Sequence, residues 1–197
     1  MKRIVLTFAL VPALFAQKHE LGLTLGGLLS QNRGAAPNNL TLSGGTALQA
    51  NYGYRFWSGN HASLLGEVHF LANAQRTVAS SNRAATRDEA SIYITPGIRL
   101  KLFPKSRVSP YGVIGAGFGD YEQSTTRLDG AANNAPREIV RGVFDWGGGA
   151  DIRLVKFIGL RGEIRDFYTG SPAYNLPGIR GGQHNVVLGG GFVLKWN

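Results

Sequence analysis

The chain has 197 residues, no cysteine, 28 glycines and a formal net charge of +9. The absence of cysteine excludes disulfides, thiolate metal sites, cysteine nucleophiles and a lipid-modified N-terminal cysteine. The basic residues are spread along the chain without a run of like charge, so the high pI does not indicate binding to nucleic acid. The length suits a single domain, because all-β barrels commonly reach this size undivided.

The N-terminal residues 1–16 are predicted to be a secretory signal peptide. A basic start precedes an apolar run from Ile4 to Ala16, which is too short for a spanning helix and is typical of an export signal. Cleavage is predicted after Ala16 or after Ala13. Residues 17–197 then form one mature barrel domain, in which no later apolar run is long enough for a transmembrane helix.

Eight segments of the mature chain alternate apolar and polar side chains with a period of two, which predicts β-strands. In chain order they are HELGLTLGGLL, TALQANYGYRFW, ASLLGEVHFLAN, IYITPGIRLKLF, PYGVIGAGFGDYE, VFDWGGGADIRL, IGLRGEIRDFY and HNVVLGGGFVLKW. In the fourth segment, Ile92, Ile94 and Ile98 share one face, whereas Arg99 and Lys101 share the other. Each strand therefore has one apolar face and one polar face.

Two of these segments contain an irregularity. In the fifth, a face with Tyr111 and Val113 competes with a face that carries Ile114 and Phe118, and the sequence does not decide between them. In the fourth, Pro96 lacks the backbone N–H that a closed sheet needs at every position. We expect a bulge or another local distortion of the sheet at Pro96.

The connections between the segments alternate between long and short. The long ones lie near residues 30–44, 74–90, 123–139 and 170–182, and the short ones near 58–61, 104–109 and 155–158. This pattern predicts an all-β fold, an eight-stranded antiparallel up-and-down transmembrane β-barrel. A soluble lipocalin-like barrel, with the apolar faces turned inward, is the alternative.

Aromatic residues are concentrated toward both ends of the predicted strands, as expected for aromatic belts at the two membrane interfaces. Those near the short connections are Phe56, Trp57, Phe103, Tyr111, Phe157 and Trp196, and those near the long connections are Phe70, Tyr121, Phe144, Trp146 and Tyr168.

The polar faces carry charges of both signs, mostly in the half of the barrel near the short connections. An eight-stranded interior is just wide enough to be filled by side chains, and buried charges persist when they are paired. We therefore predict an ion-pair network that plugs the lumen. Its predicted members are Glu20, Arg55, Glu67, Arg99, Lys101, Asp151, Arg153, Arg161, Glu163, Arg165 and Lys195.

With these features the chain resembles the small outer-membrane β-barrel proteins of Gram-negative bacteria, of the OmpX type and the OmpA transmembrane-domain type. In that family the last strand carries a signal read by the barrel-assembly machinery. Gly191, Leu194 and Trp196 match its glycine, apolar and aromatic positions. The resemblance implies a location in the bacterial outer membrane.

Three polar residues of the segment NHASLLGE resemble a catalytic motif, but their position in the predicted topology speaks against catalysis. His61, Ser63 and Glu67 are similar to the His-x-Ser pair and separate acid of outer-membrane enzymes that trim lipid A. The topology, however, places them at the end opposite to the one where such enzymes act. The four histidines show no metal-ligand spacing, and neither a metal nor another cofactor is expected.

Arginines are the chemistry-bearing residues of the long connections. Arg76, Arg83, Arg87, Arg127, Arg137 and Arg141 lie in or beside them. They could contact lipopolysaccharide phosphates or form an ordinary solvated surface.

We expect a monomeric, non-enzymatic protein that serves envelope integrity or surface interaction. Its expected partners are outer-membrane lipid, including lipopolysaccharide, and the barrel-assembly machinery, but not nucleic acid. A lipid-modifying enzyme and a narrow channel or small-ligand carrier remain as alternatives.

Overall fold

The computed structural model describes residues 18–35, 38–170, 172–176, 178–179 and 181–197, and its regular elements are all β-strands. They are β1 (His19–Ser30), β2 (Arg33–Ala35), β3 (Asn38–Leu42), β4 (Gly45–Ser58), β5 (Ala62–Ser80), β6 (Asp88–Leu102), β7 (Val108–Gln123), β8 (Glu138–Arg153), β9 (Ile158–Gly170) and β10 (Gly182–Trp196). The predicted signal peptide lies outside the described residues. Within them, no helix has the length and apolar character needed to cross a bilayer.

Eight of the strands form a closed antiparallel ring in the order β1, β4, β5, β6, β7, β8, β9, β10. The ring closes where β1 pairs with β10, from His19 opposite Trp196 to Ser30 opposite Asn185. Consecutive strands of the ring are neighbours throughout. The predicted eight-stranded up-and-down barrel is therefore confirmed.

The two faces of the wall follow the sequence alternation. Leu23, Leu25 and Ile98 are exposed on the outside, whereas Arg99 and Lys101 are buried inside. The soluble alternative, which needs the apolar faces inside, is wrong. The wall therefore presents its apolar side chains outward around the barrel.

The competing faces of the fifth segment are resolved in β7. Tyr111 and Val113 are buried inside the barrel, and Ile114 and Phe118 are exposed outside. Tyr121 also lies inside. The prediction that Tyr111 and Tyr121 belong to the aromatic belts is therefore wrong, because both rings are needed to fill the interior.

The predicted distortion at Pro96 takes the form of a gap in the pairing of β6 with β7. The ladder runs to Ile94 opposite Phe118 and resumes in the same register at Gly97 opposite Gly115. Here the two backbones approach so closely that a Cβ on Gly97 would collide with the Ile114 carbonyl oxygen. Glycine is therefore required beside the proline.

A register shift in β5 changes which of its side chains face inward. The pairing with β6 moves from Asn73 opposite Ser91 to Arg76 opposite Glu89, which adds one residue to β5. Such a bulge exchanges the two faces of the strand beyond it. Asn73 and Arg76, three residues apart, are consequently both buried inside.

The long connections are shorter and more ordered than the sequence suggests. β5 and β6 continue well past the membrane-length segments, so the connection predicted near 74–90 shrinks to 81–87. The first connection contains the β2–β3 hairpin, and β3 extends the sheet by pairing Leu40 with Ser80 of β5.

The described parts of the four long connections pack together into one unit, the loop cap, over that end of the barrel. Its apolar core consists of Leu40, Leu42, Val78, Ala85, Tyr174, Leu176 and Ile179, with Leu128 against it. Backbone hydrogen bonds join the connections, including Thr86 N–H to the Tyr174 carbonyl (3.2 Å) and Leu128 N–H to the Ala85 carbonyl (2.9 Å).

Candidate functional site

The charged side chains predicted for the lumen lie inside the short-turn half of the barrel. All of the predicted residues except Arg153 take part in one connected network. Each comes from the inward-facing positions of its strand, so the period of two that builds the wall also assembles the charges. The network has two linked centres.

The lower centre, which is the one nearer the short turns, forms around the carboxylates of Glu20 and Asp151. Lys101 Nζ lies 2.5 Å from Glu20 Oε2 and 2.7 Å from Asp151 Oδ2, so it joins the two. Arg161 donates through Nε to Asp151 Oδ1 at 2.8 Å. Arg55, from β4, donates to Glu20 Oε1 at 2.9 Å. Every carboxylate of this centre is thus shared between cations.

The upper centre forms around Glu67 on β5. Its two oxygens contact Arg99 and Arg165, one each. Arg165 also lies 3.0 Å from Asp145 and 3.2 Å from Glu163, so a single guanidinium joins three carboxylates. A planar group with five N–H donors suits such multiple contacts.

Tyr111 links the two centres. The guanidinium carbons of Arg99 and Arg161 lie 4.5 Å and 5.0 Å from its ring centroid, within the range of cation–π contacts. Its hydroxyl donates to Glu163 at 2.9 Å. The ring therefore contacts a cation of each centre.

Arg153 does not belong to the network, which corrects the prediction. It is the last residue of β8, and its exposed side chain donates to the Lys105 carbonyl oxygen in the β6–β7 turn at 2.9 Å. Its parity is that of Asp151, but it lies beyond the level at which the lumen is enclosed. Parity alone does not show where along a strand the interior ends.

Sequence reasoning did not assign Asp145 to the network or recognise the polar side chains around it. Asp145 accepts a hydrogen bond from Thr95 at 2.8 Å, and Thr24 donates to Glu163 at 3.0 Å. The alternation did indicate an inward position for Asp145, because its neighbours Phe144 and Trp146 lie on the apolar face of the same strand. Hydroxyl and amide groups gave no comparable signal.

An apolar layer lies beyond the charges, toward the long-loop end. It consists of Leu28, Ala47, Leu71, Tyr93, Tyr121, Val143, Phe167 and Val187. Tyr93 packs edge-on against Tyr121, with ring centroids 5.7 Å apart, and donates a hydrogen bond to the Tyr121 hydroxyl at 3.0 Å. Buried apolar side chains therefore fill this level of the lumen.

A second buried ion pair, Arg76 with Glu89, lies above this layer and was not predicted. Arg76 was placed with the arginines of the long loops, but the β5 bulge turns its side chain inward. It contacts Glu89 and the Ser30 hydroxyl. Tyr174 of the loop cap lies beside Glu89, and burial together with this carboxylate raises the pKa of the Tyr174 phenol well above its usual value.

The structure separates the residues of the catalytic motif. His61 is exposed in the turn between β4 and β5, whereas Ser63 is buried inside. Glu67 is held by Arg99 and Arg165. No hydrogen bond joins His61 to Ser63 in the described part of the chain, so a nucleophile and base in contact are not formed there.

His69 is buried in the lumen, within hydrogen-bonding distance (3.2 Å) of Gln49 and 3.8 Å from Glu67. Among the described residues, no group of three or more histidine, cysteine, aspartate or glutamate side chains could hold a metal ion.

The predicted assembly-signal residues lie along the second half of β10. Leu194 and Trp196 are exposed on the outer face, and Trp196 stacks on His19 with ring centroids 5.7 Å apart. A Cβ on Gly191 would collide with the Leu23 carbonyl oxygen across the seam between β1 and β10. Gly191 thus has a packing role of its own.

A family model described as the outer membrane protein beta-barrel domain matches residues 4–192. The chain belongs to this family. The apolar outer face of the barrel is therefore the surface that meets membrane lipid, and the protein is located in the bacterial outer membrane. The strands have the length and the outward apolar pattern that this location requires.

Solved structures with the same fold are similar at low sequence identity. OprG from Pseudomonas aeruginosa, an outer membrane protein, is 14% identical with a TM-score of 0.57, over 92% of this chain and 97% of that one. Neisserial surface protein A is 12% identical with a TM-score of 0.54, over 90% and 97%. The outer membrane enzyme PagL is 13% identical with a TM-score of 0.51, over 89% and 98%. No curated protein sequence matches the chain.

Proposed function

We propose that the protein is a closed, non-enzymatic outer-membrane barrel that serves surface interaction or envelope integrity through its loop cap. The observation that carries this proposal is the filling of the lumen at successive levels. The ion network, the apolar layer, the Arg76–Glu89 pair and the loop cap follow one another along the barrel axis. Such an interior favours a role in which the barrel anchors the loop cap in the membrane, and it argues against transport through the lumen.

The loop cap has the features of a preformed interaction surface. Hydrogen bonds between different connections hold it together, such as Asn175 Nδ2 to Asn133 Oδ1 at 2.6 Å. Order of this kind lowers the conformational entropy that binding would cost. Arg87 and Arg137 lie beside Asp88 and Glu122 but keep 65% and 52% of their side chains exposed, and such exposed guanidinium groups favour an anionic partner such as the phosphates of lipopolysaccharide.

A conductance measurement tests the closed lumen. The full-length protein, inserted into planar bilayers, is expected to give no steady current at moderate voltage. A stable ion-selective conductance would contradict the proposal and favour a narrow channel. A Phe167→Gly variant, which removes a fully buried aromatic ring of the layer, measures how much this layer contributes to the seal.

Analysis of lipid A tests the enzymatic alternative. Cells that produce the protein are expected to have the same lipid A as cells without it. A changed acylation pattern that disappears in His61→Ala or Ser63→Ala variants would contradict the non-enzymatic assignment. His19, a histidine of β1 outside this motif, provides a matched control as His19→Ala.

A further inference from the structure

An ionisable pair faces outward from the barrel wall rather than into the lumen. Asp166 on β9 and His184 on β10 occupy the parity of Ile164 and Val186, opposite to that of the buried Arg165. His184 Nδ1 lies 2.7 Å from Asp166 Oδ2. The pair lies in the long-loop half, since His184 is two residues from the start of β10.

Two aromatic rings pack against the histidine of this pair on the outer surface. The His184 ring packs against Tyr168 at a centroid distance of 4.9 Å and edge-on against Trp146 at 5.8 Å. The second oxygen of Asp166, Oδ1, is buried and accepts no hydrogen bond from any described residue. A buried acceptor without a donor is costly, which favours a ligand that supplies one.

A groove runs along the wall from Asp166 toward the short-turn end. It has a volume of about 800 Å³ and is lined mainly by apolar side chains, including Ile98, Leu100, Ile114 and Ile164. Outward-facing glycines at positions 112 and 148 contribute to its floor, because they leave the backbone uncovered. Its shape and lining suit a hydrocarbon chain, and it lies on the face that contacts lipid.

An ionisable pair on a lipid-facing wall is costly unless it has a role, and ionisable groups at such positions commonly mark functional sites. We propose that Asp166, His184 and the adjoining groove bind one lipid molecule of the long-loop leaflet. The acyl chain lies in the groove, and a hydroxyl or amide hydrogen at the head of that chain is donated to Asp166 Oδ1.

The orphan acceptor indicates the chemical class of the lipid. An ester-linked phospholipid has only hydrogen-bond acceptors where its acyl chains begin, so it cannot satisfy Asp166 Oδ1 there. An amide-linked, hydroxylated acyl chain, as in lipid A, has both an N–H and an O–H at that position. His184 Nδ1 carries the hydrogen that is donated to Asp166, so Nε2 of the neutral ring can accept a hydrogen bond from a second N–H or O–H of the same molecule.

Native mass spectrometry of the purified full-length barrel with lipid A or with phosphatidylglycerol tests the site. We expect one lipid A to be retained on the wild type in preference to phosphatidylglycerol. Asp166→Leu should weaken retention by about tenfold, as expected when a hydrogen bond to a charged acceptor is lost. Gly112→Leu should fill the groove and have a similar effect, since its added Cβ meets no atom closer than 3.9 Å.

Gly27→Leu is the matched control, because Gly27 has no atom within 4 Å of an added Cβ and does not line the groove. It should leave lipid A retention unchanged. Heat-modifiable migration on gels shows that each variant is folded. Equal retention of lipid A by the wild type, Asp166→Leu and Gly112→Leu would overturn the site, and equal retention of phosphatidylglycerol by the wild type would overturn the lipid class. The site is outside the lumen, so a conducting barrel would leave this result unaffected.

Discussion

Arg76 and Glu89 face each other directly across the β5–β6 pair, and both are fully buried inside the barrel. The pair stands between the apolar layer and the loop cap, where bulk water does not screen it. Removal of one member would leave an uncompensated charge in this enclosed space.

We expect Arg76→Met to lower the free energy of unfolding by about 3–5 kcal/mol, because Glu89 is left buried without its partner. Urea unfolding of the barrel in lipid vesicles measures this. The double variant Arg76→Met/Glu89→Met should recover most of the loss, since an apolar pair of similar volume is often neutral. An unchanged midpoint for the single variant would show that water reaches Glu89.

The upper centre of the lumen network should be equally sensitive. Glu67→Gln removes the charge that holds Arg99 and Arg165 together, and should cost about 3–5 kcal/mol in the same unfolding experiment. Glu122→Gln is the control, because Glu122 pairs with Arg137 on the surface and such pairs contribute about 0–1 kcal/mol. Similar losses from both variants would contradict a buried network.

Gly191→Val should impair closure of the barrel even in the absence of cellular factors. Its side chain would collide with the β1 backbone at Leu23, so the fraction of heat-modifiable, folded protein after refolding into detergent should fall. Gly190→Val changes a neighbouring outward-facing residue whose added Cβ has room, with the nearest atom at 3.7 Å. If Gly191→Val refolds fully in detergent and fails only in cells, the role of Gly191 is recognition and not packing.

Tyr174 should make the stability of the loop cap depend on pH in the alkaline range. The phenol has an ordinary pKa of about 10 when the chain is unfolded, and burial beside Glu89 raises its pKa in the folded protein. The contribution of Tyr174 is therefore fully present below about pH 10 and is lost as the pH rises toward the folded value, because only the unfolded state then releases the proton.

The comparison of wild type with Tyr174→Phe isolates this contribution from those of the other tyrosines. The difference in unfolding free energy between the two proteins should be constant below about pH 10 and should shift against the wild type above it. A difference that stays flat through the alkaline range would mean that Tyr174 is accessible to solvent in the folded barrel.

The sequence predicted the barrel and most of the lumen network because both depend on one short-range property. Alternation with a period of two assigns Arg99, Lys101 and Arg161 to the interior without any knowledge of register. The same property fails where the strand is irregular. The bulge before Arg76 exchanges the inward and outward faces of β5, and the local composition does not predict this bulge.

The failures at Arg153 and in the loop cap have another origin. Arg153 has the expected parity but lies past the enclosed part of the lumen, and the height of a residue depends on strand tilt and register rather than on alternation. The packing of Tyr174 and Leu176 with Leu40 joins segments that are far apart in the chain. A single sequence contains no local signal for such contacts.

The pairing of His19 with Trp196 has a consequence for how the molecule is made. The wall cannot be completed until Gly182–Trp196 has been synthesised, because this strand pairs with the first strand of the ring. Until then, two strand edges expose unpaired backbone groups. Such groups are costly in hydrocarbon, and open edges favour aggregation in water. Closure of this barrel therefore depends on a contact between segments far apart in the chain and not on local folding alone.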